Sequence, residues 1–157
     1  MYMNQNEVTD LLHHRLPYLM VSAVEQCQEN EIVALKEFTG EEPFVAGHFP
    51  GAPVVPGAMI QEFCTQSAGV LLTRFHSPVE NYNSNTTKGY ALGVLRKVNY
   101  AKFIEMVKPN SPLKCRVTLI EKIDNLFHFK AVVLQEEKVK AKLGFTLLNT
   151  TDEILYS

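Results

Sequence analysis

The chain has 157 residues, 46% of them apolar and 20% charged, with a formal net charge of −2. That length and balance fit one domain with a sizeable core, spanning residues 1–157, and argue against a disordered chain or a basic clamp for a nucleic-acid backbone. Three widely spaced cysteines (Cys27, Cys64, Cys115) with no C-x-x-C pair argue against a disulfide framework and a zinc knuckle, and with no apolar run near about 18 residues and no Lys or Arg in residues 1–12 the expectation is a soluble cytoplasmic protein with no membrane or nucleic-acid partner.

In chain order, Val8, Leu11 and Leu12 predict a short amphipathic helix within residues 4–14, ending before Pro17. Tyr18 to Cys27 and Glu31 to Phe38 read as two strands with a turn at Gln28-Glu29-Asn30. From Pro56 to about Phe75 there is no proline, and Ile60, Phe63, Cys64, Ser67, Ala68, Val70 and Leu71 make a broad apolar surface. This predicts a helix about 28 Å long with Pro56 in its first position, apolar on most sides and therefore central rather than superficial. His76 to Lys88 is polar and reads as a mobile loop. Four strand-like runs follow: Tyr90–Tyr100, Leu113–Ile123, Phe127–Gln135 and Lys138–Leu148, broken at 109–112, Asp124-Asn125 and Glu136-Glu137. Leu113, Cys115, Val117 and Leu119 alternate with Lys114, Arg116 and Thr118, so the last three runs predict an antiparallel meander with one wet face. The fold class is α+β, a sheet wrapped around a helix.

The segment joining the second strand to the long helix is the most informative. Gly47 to Gly57 contains three prolines and three glycines in eleven residues, which regular secondary structure does not accommodate. The stiffened loop carries His48, a base-type residue, and runs into a helix with a carboxylate, Glu62, on its second turn. Gln66 lies one further turn along, on the same helix face as Glu62.

His48-Phe49-Pro50-Gly51-x-Pro53-x-x-Pro56-Gly57, with an acid fourteen residues after the histidine and a glutamine four beyond it, resembles the 3-hydroxyacyl-[acyl carrier protein] dehydratases. His14-Arg15-Leu16-Pro17-Tyr18-Leu19-Met20-Val21 is similar to the family's His-Arg-x-Pro-Phe-Leu-Leu-Val segment, and Ala101-Lys102-Phe103 with Val107-Lys108-Pro109 to its later strand and turn. The resemblance spans most of residues 11–148. It implies the hotdog fold, a curved antiparallel sheet of about six strands around a long central helix. Glu62, where the sister isomerase branch has Asp, points to the FabZ type rather than the FabA type. Asn110-Ser111 in place of a Gly-Asp turn, Asn99 in place of an acid and Ser22 in place of Asp mark a divergent member; Asn110 can replace glycine because Asn tolerates the left-handed region.

Dehydrating a 3-hydroxyacyl thioester requires a base for the Cα proton, an acid for the departing hydroxyl and stabilisation of charge on the thioester oxygen. His48, with an ordinary pKa of about 6.5, suits the base. Glu62 can be the acid where burial keeps it protonated or lets it orient a water. Gly57 opens a helix whose free N–H groups favour negative charge, and it lacks a side chain that would keep the oxygen away. Gln66 could orient the Glu62 carboxyl or a water. The resemblance further implies that the Val54 carbonyl fixes the His48 tautomer and that His48 of one subunit works with Glu62 of another. It implies a homodimer or a trimer of dimers, and an acyl carrier protein that presents the substrate on phosphopantetheine; no other cofactor and no metal is expected.

The remaining histidines, His13, His14, His76 and His128, read as structural or exposed, and Cys64 as a small core residue. Arg74, Lys88, Arg96, Lys97 and Lys102 are candidates for meeting an acidic carrier, although scattered bases are ordinarily a solvated face. Two alternatives stay open: a thioesterase on the same fold, with Glu62 activating water at the thioester carbon, and an acyl-binding subunit without catalysis.

Overall fold

The computed structural model describes residues 2–153. Helix α1 (Gln5–Leu11) begins at a capping box: the Asn4 side chain accepts from the Glu7 N–H at 3.0 Å and the Glu7 carboxylate accepts from the Asn4 N–H at 2.8 Å. Two orphan donors at the helix start are thereby satisfied, and Val8 turns inward. Strands β1 (Ala23–Cys27) and β2 (Glu31–Lys36) form an antiparallel pair, with the Gln28 N–H donating to Glu31 O at 2.7 Å across the connection. The first strand starts five residues later than the sequence pattern suggests. Tyr18 and Met20 direct their backbone polar groups to the Gln66 side chain instead of a neighbouring strand. A one-turn helix α2 (Pro43–Ala46), opened by its proline, was not foreseen.

Helix α3 (Gly57–Phe75) is the expected central helix. Pro56 stands one position earlier than expected, as the N-cap, with ψ at 142°. Every residue from Phe63 to Thr73 is buried, which is why the helix shows no clean polar face. Strands β3 (Tyr90–Phe103), β4 (Leu113–Ile123), β5 (Leu126–Gln135) and β6 (Lys138–Thr151) complete one six-stranded sheet in the order β1-β2-β4-β5-β6-β3. The meander β4-β5-β6 is as expected, while β3 and β6 each run three residues further than their apolar patterns. The extra residues pair with the expected part of the opposite strand, Thr151 with Tyr90 and Phe103 with Ala141, so ladder hydrogen bonds carry the strands past their hydrophobic ends.

The sheet curves around α3. Register shifts at three places in the β3–β6 ladder bend it. At one of them Gly93, with φ +70°, lets β3 approach the helix so closely that a Cβ there would stand 3.1 Å from Gly69 Cα. Phe63, Cys64, Ala68, Leu71 and Leu72 of α3 share one core with Cys115, Val117, Phe129, Val133, Leu143 and Phe145 of the sheet. Each large apolar side chain so buried stabilises the fold by roughly 1.5–3 kcal/mol. The turns that use the left-handed region without glycine include Asp124 (φ 54°) between β4 and β5, Glu136-Glu137 (φ 52° and 64°) between β5 and β6, and Asn110 (φ 66°), where the asparagine expected to stand in for glycine does so. The polar segment after α3 forms a loop that is tied down. Ser84 N–H donates to Asp10 O at 2.7 Å, Arg15 donates to Ser84 Oγ at 3.1 Å, and Tyr82 bonds His13.

Candidate active site

The Gly/Pro segment folds back on itself around His48. Its carbonyl accepts the Val54 N–H at 2.7 Å, and its ring Nδ1 lies 3.0 Å from the Val54 carbonyl. A carbonyl oxygen only accepts, so Nδ1 is the nitrogen that carries the proton. In the neutral ring Nε2 is then a free lone pair, the form required of a base. The Phe49 ring stacks on the imidazole at 4.5 Å between centroids, and the Val55 N–H anchors the loop to Val107 O at 2.8 Å. Ring orientation and tautomer are thus fixed by backbone the loop sequence itself stiffens.

The loop delivers the chain into α3 at Gly57. The first N–H groups of α3 precede any i to i−4 partner and share the positive end of the helix dipole. His48, Val54, Gly57, Ile60, Phe103 and Met106 line one cavity of about 420 Å³. The Phe103 ring, at the end of β3, lies over Gly57: a Cβ at that glycine would be 3.0 Å from Phe103 Cζ. The contact gives Phe103 a place in the site that its strand-like setting in the sequence did not reveal.

Glu62 does not line this cavity. Its side chain, 17% exposed, accepts from Gln66 Nε2 at 2.9 Å, and His14 Nε2 lies 3.8 Å from the same oxygen. Gln66 is almost wholly buried and every polar atom is used: Oε1 accepts from the Met20 N–H at 2.7 Å, and Nε2 donates to Tyr18 O at 2.8 Å as well as to Glu62. Tyr18 faces the same carboxyl; burial first, then the Glu62 charge, hold its phenol above the ordinary range. Within one chain, then, His48, Val54 and Gly57 come together, Glu62 and Gln66 come together, and the two groups stay apart.

Three of the other histidines take structural partners: His13 with Tyr82, His76 with Glu29 O at 2.9 Å, and His128 with Thr146 Oγ1 at 2.8 Å. His14, 35% exposed, has no such partner among the described residues and lies beside Glu62. Its segment carried part of the family resemblance, which was the available signal. Cys64 is fully buried in the core. Arg74, Lys88, Arg96, Lys97 and Lys102 are exposed but spread over the end of α3, the following loop and β3. Among the described residues no three His, Cys, Asp or Glu side chains converge as a metal site would need, and no helix is long and apolar enough to cross a membrane.

The model of the FabA-like domain matches residues 12–143. A 3-hydroxyacyl-[acyl-carrier-protein] dehydratase FabZ of Zymomonas mobilis is 38% identical over 138 residues, covering 87% of this chain and 82% of that protein. The FabZ of Lactobacillus helveticus is 34% identical over 143 residues, 90% of each. Among solved structures, the dehydratase heterocomplex ApeI:P from Xenorhabdus doucetiae superposes with a TM-score of 0.74 at 15% identity over 95% of each chain. A hypothetical thioesterase with coenzyme A from Streptococcus pneumoniae does so with 0.58 at 12% identity, over 82% of this chain and 84% of that one. At such identities the two structures speak for the hotdog fold alone, whereas the sequence matches speak for descent: the chain belongs to the FabA-like domain family, as a FabZ-like member.

Proposed function

We propose that this protein dehydrates 3-hydroxyacyl thioesters carried on acyl carrier protein to trans-2-enoyl thioesters. His48 Nε2 takes the Cα proton, and the electron pair of that C–H bond becomes the second bond between Cα and Cβ. The Gly57 N–H, at the positive end of α3, stabilises the charge that develops on the thioester oxygen. The Cβ–O bond breaks, and the hydroxyl leaves as water with a proton that Glu62 gives directly or through an oriented water. The observation that carries this reading is the His48–Val54 bond: it leaves a basic nitrogen in the cavity that Gly57 also lines.

The Glu62 that completes a site comes from a second copy of the chain, because Glu62 lies outside the His48 cavity of its own chain. A homodimer, alone or assembled as a trimer of dimers, is accordingly the proposed active unit, each copy contributing one hotdog domain over residues 1–157. In support, β3 is an edge strand paired only with β6, and it exposes Val94, Leu95, Val98 and Tyr100. An apolar open edge of that kind calls for cover. The phosphopantetheine of the carrier brings the substrate in, with no further cofactor, and three buried free cysteines suit a reducing cytoplasm.

The test is direct. Purified protein given 3-hydroxyacyl thioesters of several chain lengths on acyl carrier protein should produce enoyl absorbance. His48→Ala and Glu62→Gln should each lower kcat by on the order of 10²–10⁴-fold. Release of free thiol in place of enoyl product would establish a thioesterase instead. Saturable binding of loaded carrier, with wild type and His48→Ala equally inactive, would establish an acyl-binding subunit.

A further inference from the structure

His14 is out of place as a structural histidine. It is half-buried, and its ring stacks on Tyr18 at 6.0 Å between centroids. Its Nδ1 is buried with no hydrogen-bond partner among the described residues, and its Nε2 faces Glu62 at 3.8 Å, beyond a direct hydrogen bond. The other four histidines each make a ring hydrogen bond. Buried polar atoms are ordinarily satisfied, and an exception calls for a reason other than packing. Here it stands next to a carboxyl that Gln66 already holds in one rotamer.

We propose that His14 is a positioning residue for Glu62: its ring packs 3.8 Å from the carboxyl oxygen that accepts from Gln66 and limits how that carboxyl can turn. This inference rests on the reading of Glu62 as the proton donor. The groups facing His14 are few. Glu62 favours its protonation, while His13 and Arg15 oppose it; Tyr18 stacks on it. Burial outweighs them all and holds its pKa below the ordinary histidine value, so the working form near neutral pH is the neutral ring.

The experiment measures kcat and KM for wild type, His14→Gln, His14→Phe, Glu62→Gln and the double variant His14→Phe/Glu62→Gln. His14→Phe keeps the stack on Tyr18 and removes both nitrogens, so it separates positioning from packing; thermal melts show that each variant folds. Misplacing one catalytic group costs on the order of 10–100-fold. His14→Phe should lose that much kcat with KM nearly unchanged, and its effect should vanish in the Glu62→Gln background. An active wild type whose kcat survives His14→Phe overturns this inference and leaves the dehydratase reading standing. So does an effect of equal size in the Glu62→Gln background, which would mean a merely structural role. A wild type without dehydratase activity overturns both readings together.

Discussion

Replacing Gln66 by alanine should damage the fold and the chemistry at once, because one buried amide serves both. The side chain accepts from Met20 N–H and donates to Tyr18 O and Glu62 Oε1, at 2.7, 2.8 and 2.9 Å. Three net hydrogen bonds at roughly 0.5–1.5 kcal/mol each amount to about 3 kcal/mol. Tyr18 is exposed enough for water to replace its lost donor, whereas Met20 is fully buried and its N–H would be left unpaired. That places the cost in the upper part of the range. In urea, with a slope of about 2 kcal/mol/M, the midpoint should fall by about 1.5 M or more. Protein concentration must be held fixed, since association contributes to apparent stability. Activity should fall on the order of 10-fold or more in kcat, because the Glu62 carboxyl loses its hydrogen bond from Gln66. A midpoint within about 0.3 M of wild type, with kcat unchanged, would refute the claim that this amide joins the segment at 18–20 to the acid.

Gly57→Ala should keep the fold and lose activity. The added methyl meets only the Phe103 ring at 3.0–3.2 Å, an exposed side chain that can shift, and alanine suits a first helical turn; a stability change within about 1 kcal/mol and a fall in kcat/KM on the order of 10-fold or more are expected from melts and enoyl formation. Stability should also fall on acidification. Burial is the main cause that holds His13 and His14 below the ordinary value of about 6.5, so the unfolded chain takes up protons that the folded one refuses. The contribution is whole above about pH 6.5 and is lost as pH drops toward the lowered folded values. Urea midpoints at pH 7.5 and 5.0 should therefore separate, and by less in His14→Gln. Finally, all three cysteines are buried, and burial pushes the Cys27 thiol up to about 11. A disulfide reagent at pH 8 should react with the native protein only slowly and with three thiols once the protein is unfolded.

Why the base side of the site could be read from the sequence and the acid side only in part follows from where the determining contacts lie. The His48 loop is governed by residues within ten positions of one another. Prolines and glycines fix its path, and the groups that tie His48 and Phe49, Val45, Ala52 and Val54, are its own neighbours; the distant anchor, Val107, holds Val55 beyond them. Helix α3 was legible for a related reason, since a proline-free apolar run bounded by Pro56 can hardly be anything else, and the meander showed its period of two. What stayed hidden depends on long-range contact. The strand expected from Tyr18 gave way at Ser22 because Gln66, 46 residues from Met20, captures its backbone. Phe103 looks like one more strand aromatic until the sheet lays it over Gly57. His14 and Glu62 are 48 positions apart, and nothing local to either announces the other; only the docking of the segment after α1 onto α3 brings them to 3.8 Å. The proposed acid is therefore built by the fold and the proposed base by the loop. In the site proposed to be shared between two copies, the half that depends on tertiary packing is the half in which a family member has room to tune the chemistry.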